Sequence, residues 1–225
     1  TQMNQLSSKS THSKFLETLN VIKLRRTYLL LLSVFFFTFS GYAQDTVEPS
    51  LNTEERELTS WLDSQEENML DMLERITNIN SGSLNKQGVN ELASIFSEEL
   101  RQLGFSLSTL PGEVIEMPSC PGSDYNVDVA DHILASKSGS GSKLLMMGHL
   151  DTVFPPGSPF QEFSREGDTM YGPGVSDMKG GLVVMLYALK ALNENGELGD
   201  KSITVLLNSD EEIGSLSSRK YLEEQ

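Results

Sequence analysis

Three short segments combine carboxylates with a histidine or a glycine-rich loop, beside predicted strand or helix ends. In the first, residues 148–153, His149 and Asp151 directly follow an apolar run. Side chains two residues apart on an extended chain point the same way, so Asp151 can orient the imidazole of His149 as a metal ligand. The alternative is that a histidine and an aspartate at this spacing are simply surface residues.

The second segment, residues 171–181, reads YGPGVSDMKGG. Asp177 stands where this glycine-rich loop meets a predicted buried helix. Glycines permit close backbone approach and unusual dihedral angles. An aspartate at this place can equally be a helix amino cap.

The third segment, residues 207–215, follows another apolar run and holds Asp210, Glu211 and Glu212 in succession. Adjacent carboxylates repel one another and need a cation, solvent or a raised pKa, and a solvated acidic turn is the simpler alternative. Sites in open α/β sheets form at the carboxyl ends of strands. One histidine and several carboxylates at such an edge together predict a divalent-metal site.

The apolar pattern predicts the elements that position these segments. Helices are predicted from Thr53 to about Ile76 and over residues 86–103, 180–192 and 215–224. Strands are predicted over residues 105–107, 114–117, 132–135, 144–147 and 203–207. The continuously apolar run 144–147 is typical of a strand buried on both faces. Strands alternating with helices predict an α/β sheet with helices on both faces.

The amino-terminal region has the order of a secretory signal. A basic cluster at Lys23, Arg25 and Arg26 precedes the apolar run 28–39, and a small-x-small motif follows at residues 41–43. The run is shorter than the ~20 residues of a spanning helix, and a short membrane anchor is the alternative. We interpret residues 1–43 as an upstream segment plus signal peptide, 44–54 as a linker and 55–225 as the catalytic region. We expect an exported protein, periplasmic or extracellular, without a stable membrane anchor after cleavage.

Composition excludes several classes of function. The chain has 225 residues and a net charge of −15, which argues against a nucleic-acid partner. Its single cysteine, Cys120, excludes an intramolecular disulfide framework and a thiolate metal cluster.

The three segments, in this order and at these spacings, resemble metallopeptidase family twenty, and residues 66–110, including residues 80–83, resemble its opening helices. This family contains co-catalytic zinc exopeptidases and deacylases, and the third segment is most similar to its glutamate carboxypeptidase branch. The resemblance covers roughly residues 55–225. It implies a three-layer αβα catalytic domain and a cis peptide bond after Asp177.

The resemblance also implies a role for each site residue. His149 and Glu212 are each a ligand of one of two Zn²⁺ ions per active site, and Asp177 bridges the two. Glu211 is the general base that takes a proton from the bridging water, and Asp151 orients His149. These roles suit a metal pair, because metal ions lower the pKa of bound water and polarise the scissile carbonyl.

The sequence also departs from the family pattern. The family has a further carboxylate ligand and a further histidine beyond the Glu212 position, but Gln225 lies only thirteen residues after Glu212, and neither His12 nor His132 matches. We therefore expect the front part of a longer enzyme, incomplete at its carboxy-terminal end, inactive alone and lacking the lid or dimerisation domain.

The function expected of the parent protein is that of an exported carboxypeptidase-type zinc hydrolase acting on a peptide or acyl amino acid, with homodimerisation in the full-length form. The alternatives are an aminopeptidase or amino-acid deacylase with the same metals, and a non-catalytic binding relative.

Overall fold

The computed structural model describes residues 51–118 and 125–225. The predicted signal segment, residues 44–50 of the linker and Cys120 lie outside the described residues. Within the two described ranges, no helix has both the length and the apolar character needed to cross a bilayer.

The first predicted helix forms as two helices, α1 (Thr53–Ser64) and α2 (Glu66–Thr77). Between them, Gln65 has φ −100° and ψ 3°, which departs from helical geometry and ends the first helix. The side chain of Asn52 accepts the backbone N–H of Glu55 and the Glu55 side chain accepts that of Asn52, so a capping box starts α1.

The second predicted helix is confirmed as α3 (Lys86–Gln102), and the Asn85 side chain caps it by accepting the N–H of Gly88. Its inward positions recur every three or four residues, as one buried helical face requires. They are Val89, Leu92, Ala93, Phe96 and Leu100.

A four-stranded mixed sheet forms the centre of the described chain. In chain order its strands are β1 (Ser106–Leu110), β4 (His132–Lys137), β5 (Lys143–His149) and β8 (Ser202–Asn208), and the spatial order is β1-β4-β8-β5. β4 is antiparallel to β1 and β8, whereas β5 and β8 are parallel. Helix α4 (Gly180–Glu194) lies between these parallel strands in the chain. The predicted α/β fold is confirmed.

Two small hairpins and a short helix complete the described elements. β2 (Val114–Met117) pairs with β3 (Tyr125–Asp128), and β6 (Ser164–Glu166) pairs with β7 (Thr169–Tyr171). The last helix, α5, covers Arg219–Glu223 and starts later than the predicted residue 215. The reason is a short helical turn at Glu211–Ile213, after which Gly214 and Ser215 take positive φ angles of 93° and 53°.

The prediction that residues 144–147 are buried on both faces is wrong. Leu144 and Met147 are each 52% exposed, and Leu145 is 39% exposed. The reason is topological, because β5 lies at the edge of the described sheet with β8 as its neighbour. Only the end of the strand, Gly148 and His149, is buried.

Candidate metal centre

The parallel pairing of β5 with β8 brings two of the three segments together. His149, the last residue of β5, lies opposite Asn208, the last residue of β8. The N–H of Leu150 donates to the carbonyl of Asn208 at 2.8 Å, which continues the pairing by one residue. The loops that carry Asp151 and Glu212 therefore leave the same edge of the sheet.

The remaining segment, residues 171–181, reaches this edge through the tight turn Val175–Lys179, which precedes α4. Gly174 opens the turn with φ 78°, a left-handed conformation that favours glycine, and its carbonyl accepts the N–H of Lys179 at 2.7 Å. Asp177 interrupts the helical path with φ −137° and ψ 98°. The Asp177–Met178 peptide bond is cis, as the resemblance implies.

These elements bring His149, Asp177 and Glu212 together. Nε2 of His149 lies 2.9 Å from Oδ1 of Asp177. One ligand atom from each of the three residues falls within 4.8 Å of the other two. An imidazole nitrogen and two carboxylate oxygens are donors that suit zinc and similar divalent ions. The predicted convergence is confirmed, whereas the individual role of each residue stays a prediction.

The ring of His149 is held from its other side by Asp151. Nδ1 of His149 lies 3.0 Å from the backbone carbonyl oxygen of Asp151 and 3.4 Å from its carboxylate Oδ1. Because a carbonyl oxygen only accepts, Nδ1 carries the hydrogen, and Nε2 faces the other two residues. The backbone carbonyl of Asp151 thus lies nearer to the imidazole than its carboxylate does, whereas the sequence suggested that the carboxylate orients the ring.

The carboxylate of Asp151 is fully buried and joins the remaining parts of the site. It accepts the backbone N–H of Glu211 and that of Glu212, each at 3.1 Å. It also accepts the hydroxyl of Ser83 at 2.7 Å. Three donors satisfy this buried carboxylate, and they fix the Glu211–Glu212 backbone relative to the strand that ends at His149.

The electrostatics of the cluster fit a bound cation. Burial lowers the pKa of His149, but hydrogen bonds to Asp151 and Asp177 more than compensate and raise it to about 9. Burial also raises the pKa of Glu212. His149 opposes this effect, while Asp177, Asp151 and Glu211 add to it. Across residues 51–118 and 125–225, no Lys or Arg nitrogen lies within 4.0 Å of a Glu212 or Asp177 oxygen. A divalent ion would take the place of the proton that these carboxylates favour on His149.

The three adjacent acids of the third segment occupy different environments. Asp210 is fully buried, and its Oδ2 accepts the N–H groups of Ser217 at 2.7 Å and Ser218 at 3.2 Å. Glu212 is half-buried and belongs to the cluster, whereas Glu211 is exposed and supplies none of its three ligand atoms. The fold thus relieves the repulsion by separating a structural acid, a candidate ligand and a free carboxylate.

Ser83 and Lys179 are site residues to which sequence reasoning gave no role. Lys179 is 1% exposed, and its Nζ donates to the carbonyl of Ile79 at 2.9 Å, which ties the Asp177 turn to the loop after α2. Burial lowers the pKa of Lys179 to about 8. In the sequence, Lys179 could have been noticed as a charged residue directly before an otherwise apolar helix. No comparable signal distinguishes Ser83 among the serines of its loop.

His132 takes no part in the cluster. Its side chain is fully buried, and Nδ1 accepts the N–H of Ser209 at 3.1 Å. Nε2 therefore carries the hydrogen and faces the hydroxyl of Ser217 at 3.2 Å. Both ring nitrogens are engaged within the protein, in agreement with the expectation that His132 is not a metal ligand.

Comparison with known sequences identifies relatives of the segment that carries the cluster. Residues 145–225 match the model of peptidase family M20/M25/M40. Carboxypeptidase G2 of Pseudomonas sp. (strain RS-16) is 37% identical over 158 residues, which cover 68% of this chain and 34% of that protein. Succinyl-diaminopimelate desuccinylase of Gluconacetobacter diazotrophicus is 34% identical over 125 residues, covering 52% of this chain and 29% of that protein.

Solved structures show the same fold. Human carnosine dipeptidase 1 superposes with a TM-score of 0.65 at 17% identity, covering 75% of this chain and 37% of that one. The metallo-carboxypeptidase Sso-CP2 of Sulfolobus solfataricus, described as a member of the M20 family, gives a TM-score of 0.52 at 25% identity, over 69% of this chain and 34% of that one.

The chain spans about a third of the length of these relatives. The matched residues include His149, Asp177 and Glu212, and the three candidate ligands converge at one edge of an α/β sheet. Through residues 145–225, the chain belongs to peptidase family M20/M25/M40.

Proposed function

We propose that the full-length protein is an exported zinc-dependent hydrolase of the carboxypeptidase type, which cleaves an amide bond in a peptide or acyl amino acid. The observation that carries this proposal is the convergence of His149, Asp177 and Glu212 within 4.8 Å, with Glu211 beside them. The family supports metal-dependent hydrolysis, and the relative with 37% identity is described as a carboxypeptidase.

His149, Asp177 and Glu212 would hold the metal. We propose two zinc ions, because the carboxylate of Asp177, 75% exposed, has free oxygen surface for a second ion. Zinc would supply a Lewis acid that lowers the pKa of a bound water and polarises the scissile carbonyl.

Glu211 is proposed as the general base. Its carboxylate is exposed and outside the ligand cluster, so it is free to accept a proton from the attacking water and pass it to the leaving amine. The hydrogen bond from its backbone N–H to Asp151 holds the residue beside the cluster. An intact Glu211 argues against the alternative of a non-catalytic binding relative.

A second candidate function is amino-acid deacylation. The supporting observation is the similarity at 34% and 37% identity to two desuccinylases. Both reactions hydrolyse an amide with the same metal cluster, so they differ in the groups on either side of the scissile bond. Assays with peptides and with N-acyl amino acids of the same leaving residue distinguish them.

Export is a separate part of the proposal and rests on the signal pattern of residues 23–43. We expect cleavage after Ala43 and a mature chain that begins at Gln44. Amino-terminal sequencing of exported protein measures this directly. Retention of residues 28–39 in a membrane fraction would contradict it.

The decisive test of the hydrolase proposal uses the full-length protein with zinc. Glu211→Gln should lower kcat by about 10²–10⁴-fold, the usual effect of losing a general base, while KM changes little. Glu91→Gln, an exposed acid on α3, is the matched control and should leave kcat unchanged. Hydrolysis that survives both chelation of zinc and Glu211→Gln would reject the proposal.

A further inference from the structure

An apolar cavity opens directly beside the candidate metal cluster. It has a volume of about 220 Å³, and Glu212 forms part of its lining. Its apolar surface comes from Leu84, Tyr125, Val153, Pro155 and Ile213. A larger cavity, of about 470 Å³, lies between α3 and the β1–β4 side of the sheet, and none of the predicted site residues lines it. Of these two cavities, the smaller one shares a wall with the site.

The apolar walls of this cavity are exposed in the described chain. Val153 is 61% exposed, Leu84 is 56% exposed and Tyr125 is 45% exposed. Apolar side chains that face solvent around a concave surface next to a polar cluster are typical of a ligand pocket. Filling the cavity with an apolar group would remove these surfaces from water, which is favourable.

The backbone holds two of these walls in fixed positions. The N–H of Ser83 donates to the carbonyl of Thr152 at 3.1 Å, and the N–H of Thr152 donates to the carbonyl of Ser81 at 2.9 Å. Leu84 and Val153 directly follow these paired residues, so they lie on neighbouring backbone segments joined by hydrogen bonds. The hydrogen bond of Ser83 to Asp151 links the same loop to the metal cluster. These hydrogen bonds fix the two walls relative to each other and relative to the metal cluster, so the pocket is preformed.

Charge indicates which part of a substrate fits here. Among residues 51–118 and 125–225, no Lys or Arg lines the cavity, and the acidic residue in its lining is Glu212. A substrate carboxylate placed in this cavity would lose water against largely apolar walls, and no Lys or Arg of the described lining would pair with it. The carboxylate of a leaving amino acid is therefore excluded from it, and the group that remains is the one on the acyl side of the scissile bond.

We propose that this cavity is a specificity subsite for an apolar side chain on the acyl side of the scissile amide, with Leu84 and Val153 as its determinants. The inference rests on the proposed hydrolase function. It adds a substrate class to that function. Amides with an apolar residue before the scissile bond are the favoured substrates, and amides with an acidic residue there are the poorest substrates.

The test uses full-length, zinc-loaded protein and N-acetyl dipeptides that share one carboxy-terminal residue. The residue on the acyl side is glycine, valine, phenylalanine or aspartate. We expect kcat/KM to rise from glycine to valine to phenylalanine and to be lowest for aspartate. Leu84→Ala should reduce the phenylalanine-to-glycine ratio by about tenfold or more, within the range for a lost hydrophobic pocket contact. Val184→Ala, which removes an aliphatic side chain that is 60% exposed on α4, is the matched control.

Val153→Thr provides a second variant, because it keeps the shape of the side chain and places a hydroxyl in the cavity wall. It should lower the same ratio and leave the glycine substrate unaffected. Equal kcat/KM values across the series, with zinc-dependent hydrolysis intact, would overturn the subsite and leave the hydrolase proposal standing. Failure to hydrolyse any member of the series or the matching N-acyl amino acids would overturn both.

Another part of the protein could fill the cavity instead of substrate. In that case Leu84→Ala would lower the thermal stability of the full-length protein and leave the phenylalanine-to-glycine ratio at its wild-type value. That result would also overturn the subsite. A lowered ratio with an unchanged melting temperature is the result that the proposal requires.

Discussion

The backbone N–H of Glu211 donates to Oδ1 of Asp151 at 3.1 Å, although 60 residues separate the two in the sequence. The backbone carbonyl of the same Asp151 lies 3.0 Å from Nδ1 of His149. The proposed base and a candidate ligand are therefore positioned by one buried residue. A disturbance of Asp151 should consequently affect both the metal and the base.

Asp151→Asn tests this coupling. The asparagine amide presents an N–H₂ group where the aspartate accepts N–H groups, so at least one buried donor loses its acceptor. We expect the free energy of unfolding to fall by about 1–3 kcal/mol and zinc affinity to fall by about 10–100-fold. Denaturant unfolding and zinc titration measure the two effects.

The matched control for Asp151→Asn is Asp128→Asn, at a surface aspartate that pairs with Lys86 and is 63% exposed. Because exposed ion pairs contribute little to stability, this change should alter neither quantity appreciably. Equal effects of the two substitutions would contradict the central position assigned to Asp151.

Ser83→Ala tests the third donor to the Asp151 carboxylate. The hydroxyl of Ser83 is buried and its hydrogen bond is charge-assisted, so its loss should lower the free energy of unfolding by about 1.5–3 kcal/mol. Ser94→Ala is the control, because the hydroxyl of Ser94 donates to the Asn90 carbonyl within an exposed helix. Chemical denaturation of both variants measures the difference, and a Ser83→Ala protein as stable as Ser94→Ala would refute it.

The amount of zinc bound by each variant distinguishes the proposed metal ligands from the proposed general base. Glu212→Gln and His149→Ala each remove a donor from the cluster and should leave less zinc bound per chain. Glu211→Gln removes a carboxylate outside the cluster and should keep zinc near the wild-type level. Metal analysis after dialysis measures all three. If Glu211→Gln lost zinc as severely as Glu212→Gln, the two roles would have to be exchanged.

Local sequence signals predicted much of the fold and the candidate cluster. The inward stripe of α3 and the continuous apolar run of β8 are both patterns among residues close together in the sequence. Both elements form where they were predicted. The segments around His149, Asp177 and Glu212 were recognisable because each has a distinctive residue order. The convergence of His149 with Glu212 followed from the rule that parallel strands end at one edge of the sheet, whereas Asp177 reaches that edge through the turn before α4.

Non-local features were not predictable in the same way. The apolar run of β5 reads as doubly buried, but its exposure depends on which neighbours the strand has in the sheet. The hydrogen bond of Ser83 to Asp151 spans 68 residues and depends on how the loop after α2 docks on the loop after β5. No periodicity or composition within either loop encodes that contact.

Gly82→Ala tests how closely these two loops pack. A Cβ atom on Gly82 would lie 2.4 Å from the backbone carbonyl oxygen of Phe154, so the loop that carries Ser83 would have to shift. We expect a destabilisation of about 1–3 kcal/mol, as for overpacking of a buried site. Gly157→Ala is the control, because a Cβ atom added to Gly157 would meet no atom within 4 Å and its φ is not positive. Thermal unfolding that ranks the two variants equally would contradict the close approach.

The last prediction concerns His132 and pH. Burial lowers the pKa of His132 below its usual value, and the carboxylates of Asp210, Asp131 and Asp151 only partly oppose this effect. The unfolded chain then binds the proton more readily than the folded protein does. The contribution of His132 to stability is therefore fully present above pH ~6.5, its unfolded pKa, and is lost as pH falls toward the lowered folded pKa.

The structural cause is the hydrogen bond that Nδ1 of His132 accepts from the N–H of Ser209, because a protonated Nδ1 cannot accept. His132→Asn offers an amide oxygen as acceptor and does not titrate. Between pH 7.5 and 5.5, the melting temperature of the wild type should therefore fall more steeply than that of His132→Asn. His149 is present in both proteins, so its opposite dependence, stabilising at low pH and lost as pH rises toward about 9, cancels in the comparison. Parallel pH curves for the two proteins would show that His132 is not held neutral by the fold.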